Sequence, residues 1–237
     1  MRRILCTILT VMLLVACSDD EKMMIVKGEV EGLKRGKLYL QKYDGEKLVN
    51  LDSMTAKGNG KFEFKYKLES PEVFYLYLDL GKKEGTDFGD RLLFFGEPGV
   101  ITIRSKYEMF DINASVTGSK SNGTLTEYQK MMRKFGTRNI ELLDEQVKAM
   151  KNGEMEKADS IRALSERNTL RRYLFSLNFA LTHSDSYVSP YIALTDVYDA
   201  NVKYLDSIQK SLTPEVSESK YGKELKEFIE KIKEEEK

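Results

Sequence analysis

Residues 61–68, Lys61-Phe62-Glu63-Phe64-Lys65-Tyr66-Lys67-Leu68, alternate charged and apolar side chains. A β-strand points successive side chains to opposite faces of its sheet, so this segment predicts a strand with one face in water and one against a core. The same period of two extends from residue 24 to about 117, in short segments separated by glycine-containing turns. Short strands at a spacing of about ten residues predict an antiparallel β-sandwich or open barrel.

One segment of this region differs from the others. Val73–Leu80 is apolar on both sides except at Asp79, which predicts a central strand covered on both faces. The aromatic residues in and near this strand either pack in the core or line a groove for a carbohydrate or peptide. They are Phe74, Tyr75, Tyr77, Phe94 and Phe95.

From about residue 120 the apolar residues follow helical spacing instead. Two long amphipathic segments flank the turn Lys151-Asn152-Gly153, which predicts an antiparallel helical hairpin. The expected inward-facing residues are Leu125, Tyr128, Met132, Phe135, Leu142 and Val147 in the first helix and Ala158, Ile161, Leu164, Tyr173, Leu177 and Leu181 in the second. A last helix should begin near Ser219 as its N-cap and present Leu225, Phe228 and Ile232 on one face. That face packs either on the protein's own helices or on a partner.

These patterns predict an α+β protein. The junction around Gly118-Ser119-Lys120-Ser121-Asn122-Gly123 separates a β-sandwich domain, residues 24–118, from an α-helical region, residues 119–237. No internal repeat and no low-complexity linker interrupts either part.

The N-terminus predicts a lipoprotein. Arg2 and Arg3 precede a 13-residue, largely apolar segment, Ile4–Ala16, which is too short to span a bilayer and is typical of a signal peptide covering residues 1–16. The segment ends in Leu14-Val15-Ala16-Cys17, which resembles the bacterial lipobox. We therefore expect cleavage before Cys17 and lipidation of that cysteine. The alternative is an ordinary signal peptide followed by an incidental cysteine.

Lipidation would place the protein in the cell envelope. Acyl chains such as palmitate contribute about 0.8 kcal/mol per buried methylene, so a multiply acylated cysteine is a stable membrane anchor. Residues 17–23 form an acidic tether containing Ser18-Asp19-Asp20-Glu21-Lys22. This tract resembles the surface-export signal of lipoproteins from a group of Gram-negative gut bacteria; it serves otherwise as a solvated spacer. The expected location is the outer membrane, at its periplasmic face or at the cell surface.

Composition argues against several kinds of chemistry. Lys and Arg together number 38, as do Asp and Glu, so there is no general basic character for nucleic-acid binding. With His183 as the single histidine, and with Cys6 removed and Cys17 acylated, we expect no catalytic residue, no metal site and no cofactor. Asp87-Phe88-Gly89 matches the kinase magnesium motif in letters alone, without its companion motifs.

Three segments resemble the Asp-Ser/Thr-apolar acceptor used for protein O-glycosylation in the same bacterial group. They are Asp52-Ser53-Met54, Asp159-Ser160-Ile161 and Asp206-Ser207-Ile208. Ser53 is the candidate acceptor, because it falls at the end of a predicted strand, next to a turn.

Several segments in order resemble a known family. They are residues 25–33, Gly36-Lys37-Leu38-Tyr39-Leu40, Leu51-Asp52-Ser53, Gly60-Lys61-Phe62-Glu63-Phe64, Phe95-Gly96-Glu97-Pro98-Gly99, Gly118-Ser119-Lys120-Ser121 and residues 186–191. Together they resemble the domain of unknown function numbered 4369, with its usual helical region. In its relatives this unit precedes a thioredoxin-like oxidoreductase domain of an envelope lipoprotein. Here the chain ends at Lys237 without a CxxC motif, so no catalytic residue is carried over.

We therefore expect a non-catalytic, lipid-anchored binding or scaffold module that contacts the membrane through acylated Cys17 and another envelope protein through its folded part. The alternative is an accessory subunit of a thiol-disulfide system that works with a separate thioredoxin-like protein. Binding of a glycan or peptide at exposed strand aromatics is a third interpretation.

Overall fold

The structure, a computed structural model, describes residues 22–81 and 88–235. It divides into two compact units, and the division falls between Ser119 and Lys120. The predicted signal peptide, Cys17 and the tether as far as Glu21 lie outside the described residues. Within the two described ranges, no helix is both long and apolar enough to cross a membrane.

The first unit consists of β-strands, eight of them in its described residues. Their bounds are Met23–Glu31 (β1), Lys37–Asp44 (β2), Lys47–Thr55 (β3), Lys61–Lys67 (β4), Glu72–Asp79 (β5), Arg91–Gly96 (β6), Gly99–Lys106 (β7) and Ser115–Thr117 (β8). They form two four-stranded sheets, with strand orders β4-β1-β7-β8 and β3-β2-β5-β6.

The two sheets share one hydrophobic core. Met24, Val26, Ile101 and Ile103 face it from one sheet, and Leu38, Leu40, Phe74, Leu76, Leu78 and Phe94 face it from the other. These side chains are completely buried. The fold is therefore a sandwich of two antiparallel-rich sheets rather than a closed barrel, and the helical unit that follows makes the chain α+β, as predicted.

One strand pair is parallel, although the glycine-containing turns predicted antiparallel pairing. β1 pairs with β7 in parallel, with Gly28 opposite Ile103, while the other pairings are antiparallel. Turn signals predict hairpins between neighbouring strands, whereas β1 and β7 are far apart in the sequence and meet through the tertiary fold. Gly28 is required at this contact because a Cβ there would lie 1.6 Å from the Ile103 carbonyl oxygen.

Strand β4 behaves as its alternating pattern predicts. On β4, Phe62 and Phe64 are buried and Glu63 and Lys65 are exposed. β5 is an inner strand of its sheet, as expected, but the expectation that both of its faces are fully covered was only partly right. Its inner face is buried, while the outer face carries tyrosines that remain half-buried.

The second unit is helical, with six helices in its described residues. They span Lys120–Lys151 (α1), Met155–Thr182 (α2), Val188–Thr195 (α3), Val202–Ser211 (α4), Pro214–Ser217 (α5) and Lys220–Glu235 (α6). α1 and α2 form the predicted hairpin, joined at Asn152–Glu154, and their contact buries a small cluster of Leu142, Ala149, Ala158 and Ile161.

Part of the predicted inward face of this hairpin was wrong. Val147, Leu164 and Leu181 are exposed rather than buried. Two helices packed against each other cover only the narrow face along their contact, so an apolar stripe wider than that contact stays in solvent.

The C-terminal helix packs on its own unit. Leu225 and Ile229 are buried, and α6 contacts both α3 and α4. Ser219 caps the helix, since its hydroxyl accepts a hydrogen bond from the Gly222 N–H at 3.3 Å. The self-packing alternative for this helix is therefore confirmed.

Candidate functional site

The candidate acceptor Ser53 lies on the edge strand β3 and is exposed. Its backbone N–H donates to the carboxylate of Asp52 at 2.7 Å. The other two acceptor serines lie in helices, where Ser160 and Ser207 donate their hydroxyls to backbone carbonyls one turn earlier. Ser53 is therefore an exposed residue on an edge strand, whereas the other two serines lie within helices.

His183 has a structural setting. It follows α2 as the C-cap residue, and its ring stacks on Phe179 with ring centroids 3.8 Å apart. Because the Phe179 carbonyl can only accept, the imidazole Nδ1 at 2.9 Å must donate to it. The single histidine thus has a structural role as the C-cap residue of α2. The candidate motif at residue 87 begins outside the described residues, and Phe88–Asp90 forms a 3-10 turn.

The strand aromatics separate into two groups. Phe74, Phe94 and Phe95 are completely buried, whereas Tyr75 and Tyr77 lie on the outer face of their sheet. Two more tyrosines from β2 join them there, and we call the four side chains the outer tyrosine layer. Its members are Tyr39, Tyr43, Tyr75 and Tyr77.

The rings of this layer pack on one another. Tyr39 stacks on Tyr77 at 5.7 Å between centroids, and Tyr43 meets Tyr75 edge-on at 5.9 Å. The Arg91 guanidinium lies 4.7 Å from the Tyr77 ring centre. Burial raises the pKa of both Tyr75 and Tyr77, so the two hydroxyls stay protonated at neutral pH. The four rings therefore cover part of the outer face of the sheet and pack in pairs against one another.

The helical unit contains a cleft of about 380 Å³. Its lining residues come from α1, α2 and the end of α3, and they are Met132, Arg172, Tyr173, Ser176, Thr195 and Asp196. The cleft falls within the volume range of small-molecule pockets. It combines one guanidinium, one carboxylate and two hydroxyls of serine and threonine, so it suits a small polar molecule better than an apolar one.

Tyr128 on α1 contacts two of the cleft residues, Ser176 and Asp196, through its hydroxyl. Its hydroxyl donates to the Asp196 carboxylate and lies 2.7 Å from the Ser176 hydroxyl. Burial, reinforced by the hydrogen bond to Asp196, raises the pKa of Tyr128 well above the ordinary tyrosine value. A hydroxyl held protonated in this way acts as a hydrogen-bond donor and not as a general base at neutral pH.

The most prominent surface feature is apolar and lies on the helical hairpin. On α1, Ile140, Leu143, Val147 and Met150 are between 40% and 71% exposed; we call these four residues the α1 stripe. On α2, Leu170, Leu174 and Leu181 are also exposed, and we call them the α2 stripe. Single exposed apolar residues need no explanation, whereas several at helical spacing form an apolar face on the surface of the helix.

Two members of these stripes, Val147 and Leu181, were predicted from their helical spacing to face inward, and both are exposed. An apolar residue at helical spacing predicts a contact and does not say whether the contact lies within the chain. The cleft had no sequence signal of its own, since its polar residues are scattered over three helices. In the described part of the chain, no group of three or more His, Cys, Asp or Glu side chains is placed to hold a metal ion.

The protein is of the α+β class: two packed β-sheets are followed by a helical unit that exposes apolar side chains. Residues 24–125 match the family described as Domain of unknown function (DUF4369). The resemblance found in the sequence is confirmed over these residues, while residues 186–191 lie outside the match. No curated protein sequence matches the chain.

Proposed function

We propose that the protein is a non-catalytic, lipid-anchored lipoprotein of the cell envelope that acts as a binding or scaffold module. One observation carries the proposal, which is the exposure of the α1 stripe and the α2 stripe on the hairpin. These seven side chains are large and apolar, and they are ordered on two helices rather than scattered over loops.

The energetics support a contact role. Fully burying a Leu, Ile, Val or Met side chain contributes about 1.5–3 kcal/mol relative to leaving it in water. Patches of this kind on a soluble domain mark surfaces for protein partners. A partner that covers either stripe would remove these side chains from water, and this burial would contribute to the free energy of binding.

The anchor is the second part of the proposal. It rests on the lipobox-like segment ending at Cys17, which the sequence places after a signal peptide. Acylation of Cys17 would confine the module to a membrane surface. Confinement raises the effective concentration of any partner held on the same membrane, so weak contacts through short apolar stripes become sufficient.

Site-specific photo-crosslinking in intact cells tests the proposal. A photoreactive residue replaces Leu143 on the α1 stripe or Leu174 on the α2 stripe in the full-length chain. Matched controls carry it at Arg133 and Glu166, which are exposed polar positions on the same helices. We expect adducts from the stripe positions and none from the controls.

The identity of the adduct separates the outcomes. An adduct with an envelope protein or with a second copy of the chain supports the module, and a thioredoxin-like protein in the adduct would favour the accessory-subunit alternative. Absence of adducts at both stripe positions, in cells where the variants are present at wild-type level, contradicts the contact role.

A further inference from the structure

The α1 stripe has the spacing of a coiled-coil seam. Its four residues follow one another at intervals of three, four and three positions, which is the alternation of a and d sites in a heptad repeat. A seam of this kind needs a second helix with matching spacing. The stripe is exposed, so α2 and the remaining described helices do not provide that second helix.

The charged residues beside the α1 stripe are acidic near its N-terminal half and basic near its C-terminal half. Glu141 and Asp144 flank its first half, and Lys148 and Lys151 flank its second half, on the same side of the helix. Within the chain, the Lys148 ammonium contacts the Asp144 carboxylate at 2.5 Å. All four side chains are exposed, so they remain accessible to another helix.

A second copy of the chain in antiparallel orientation satisfies both features. Placing a twofold axis near residue 145 sets Ile140 against Met150 of the second copy and Leu143 against Val147 of the second copy. The same axis brings the acidic half of one flank to the basic half of the other. In a parallel alignment this flank would instead face the opposite flank of the second copy, where Asn139 and Gln146 carry no charge.

The α2 stripe has no such symmetry. Its flank carries Arg167 and Arg171 without acidic residues in a matching position, so an antiparallel second copy would gain no charge complementarity there. Charge complementarity thus distinguishes the two stripes. Only the α1 stripe has flanking charges that complement those of a second copy.

We infer that two copies of this protein associate through an antiparallel pairing of their α1 stripes, residues 140–150. The inference rests on the proposed function, because it names the partner of one of the two contact surfaces. A twofold pairing is self-limiting, so it yields dimers and not open filaments. Two anchored chains would then be held together on one membrane.

Disulfide trapping between full-length chains tests the geometry. Two differently tagged chains are co-expressed, one with Ile140→Cys and the other with Met150→Cys. We expect a mixed disulfide after mild oxidation of membranes. Residue 140 of one copy lies about 15 Å along the axis from residue 140 of the other, so two Ile140→Cys chains should not cross-link.

Two controls fix the interpretation. Chains with the native residues at 140 and 150 report any disulfide made by the native cysteines, and Arg133→Cys paired with itself reports random collision. A disulfide between two Ile140→Cys chains in place of the mixed pair would overturn the antiparallel inference, as would the absence of any disulfide above the collision control.

Charge reversal provides a second, independent readout. Introducing Lys148→Glu and Lys151→Glu into both chains should abolish the mixed disulfide, because the flanks become uniformly acidic. Changing Glu141→Lys and Asp144→Lys in the same chains reverses the order of charges and should restore it. Unchanged trapping by the acidic variant contradicts the role of the flank.

The outcomes for this inference and for the proposed function are distinguishable. If trapping fails while the photoreactive residue at Leu143 captures a different envelope protein, the module stands and the second copy is excluded. If both trapping and capture at Leu143 and Leu174 fail, both are overturned.

Discussion

The hydroxyl of Tyr128 on α1 donates a hydrogen bond to the carboxylate of Asp196, the C-cap residue that follows α3. The same hydroxyl lies 2.7 Å from the hydroxyl of Ser176 on α2. One tyrosine therefore connects three helices, at the place where the hairpin meets the shorter helices. Its ring also packs on Phe179, with ring centroids 5.1 Å apart.

Tyr128→Phe should lower the free energy of unfolding by about 0.5–1.5 kcal/mol, the usual net value of a hydrogen bond whose partners keep other contacts. Ser176 retains a bond to the Arg172 carbonyl at 3.2 Å, and Asp196 is exposed to water. Urea denaturation followed by circular dichroism provides the measurement. A variant as stable as the wild type would show that the connection contributes nothing.

The same pair predicts a pH dependence. The pKa of Tyr128 is raised in the folded state by burial and by Asp196, so folding favours the protonated hydroxyl. The stability that this group contributes is fully present below about pH 10, the ordinary tyrosine value, and is lost as the pH rises towards the folded-state pKa. The stability difference between wild type and Tyr128→Phe should therefore shrink above about pH 10. A difference that grows there contradicts the assignment.

Gly28→Ala should destabilise the sandwich by about 3 kcal/mol or more, because the added Cβ would overlap the Ile103 carbonyl oxygen across the parallel pair. Gly123→Ala is the matched control, since nothing lies within 4 Å of a Cβ at that helical position. The control should be neutral or stabilising by up to about 1 kcal/mol. Thermal denaturation compares the two, and equal effects would refute the close approach of β1 and β7.

Leu225→Ala should destabilise the helical unit by about 2–5 kcal/mol, because Leu225 lies on the buried face of α6 and is completely buried. Lys226→Ala, at the exposed neighbouring position, should change the midpoint little. Removal of residues 219–237 should also lower the thermal midpoint. If neither change lowers it, the packing of α6 on α3 and α4 is not important for stability.

Cys17→Ala should abolish labelling of the protein by a fatty-acid analogue in growing cells, since the thiol is the expected site of acylation. The substitution should also release the protein from washed membranes. Ser18→Ala, one residue later, serves as the control and should be labelled like the wild type. Equal labelling of the Cys17→Ala variant would contradict the lipoprotein prediction.

Much of the sandwich could be predicted because its strands carry their own signal. Phe62 and Phe64 alternate with charged residues, and each residue's environment follows from its neighbours two positions away. The parallel pairing of β1 with β7 could not be predicted in this way. It depends on which distant strands meet, and a local pattern contains no information about that choice.

The candidate sites show the same division. The spacing of Val147 marked it as a contact residue, but only the packed helices show that α2 does not cover it. Arg172 and Asp196, in contrast, had no pattern that connected them. They line one cleft because three helices meet there. The Tyr128 hydroxyl contributes to this packing through its hydrogen bond to Asp196.

Sequence patterns were sufficient to predict the strand and helix content, the change from one period to the other near residue 120, the family match of residues 24–125 and the N-cap at Ser219. These properties are local, because each depends on side chains within a few positions of one another. Tertiary contacts instead set which sheet each strand joins, which apolar stripes stay in solvent and which polar residues share a cleft. Those properties depend on contacts between residues far apart in the chain, and burial is a property of the packed molecule.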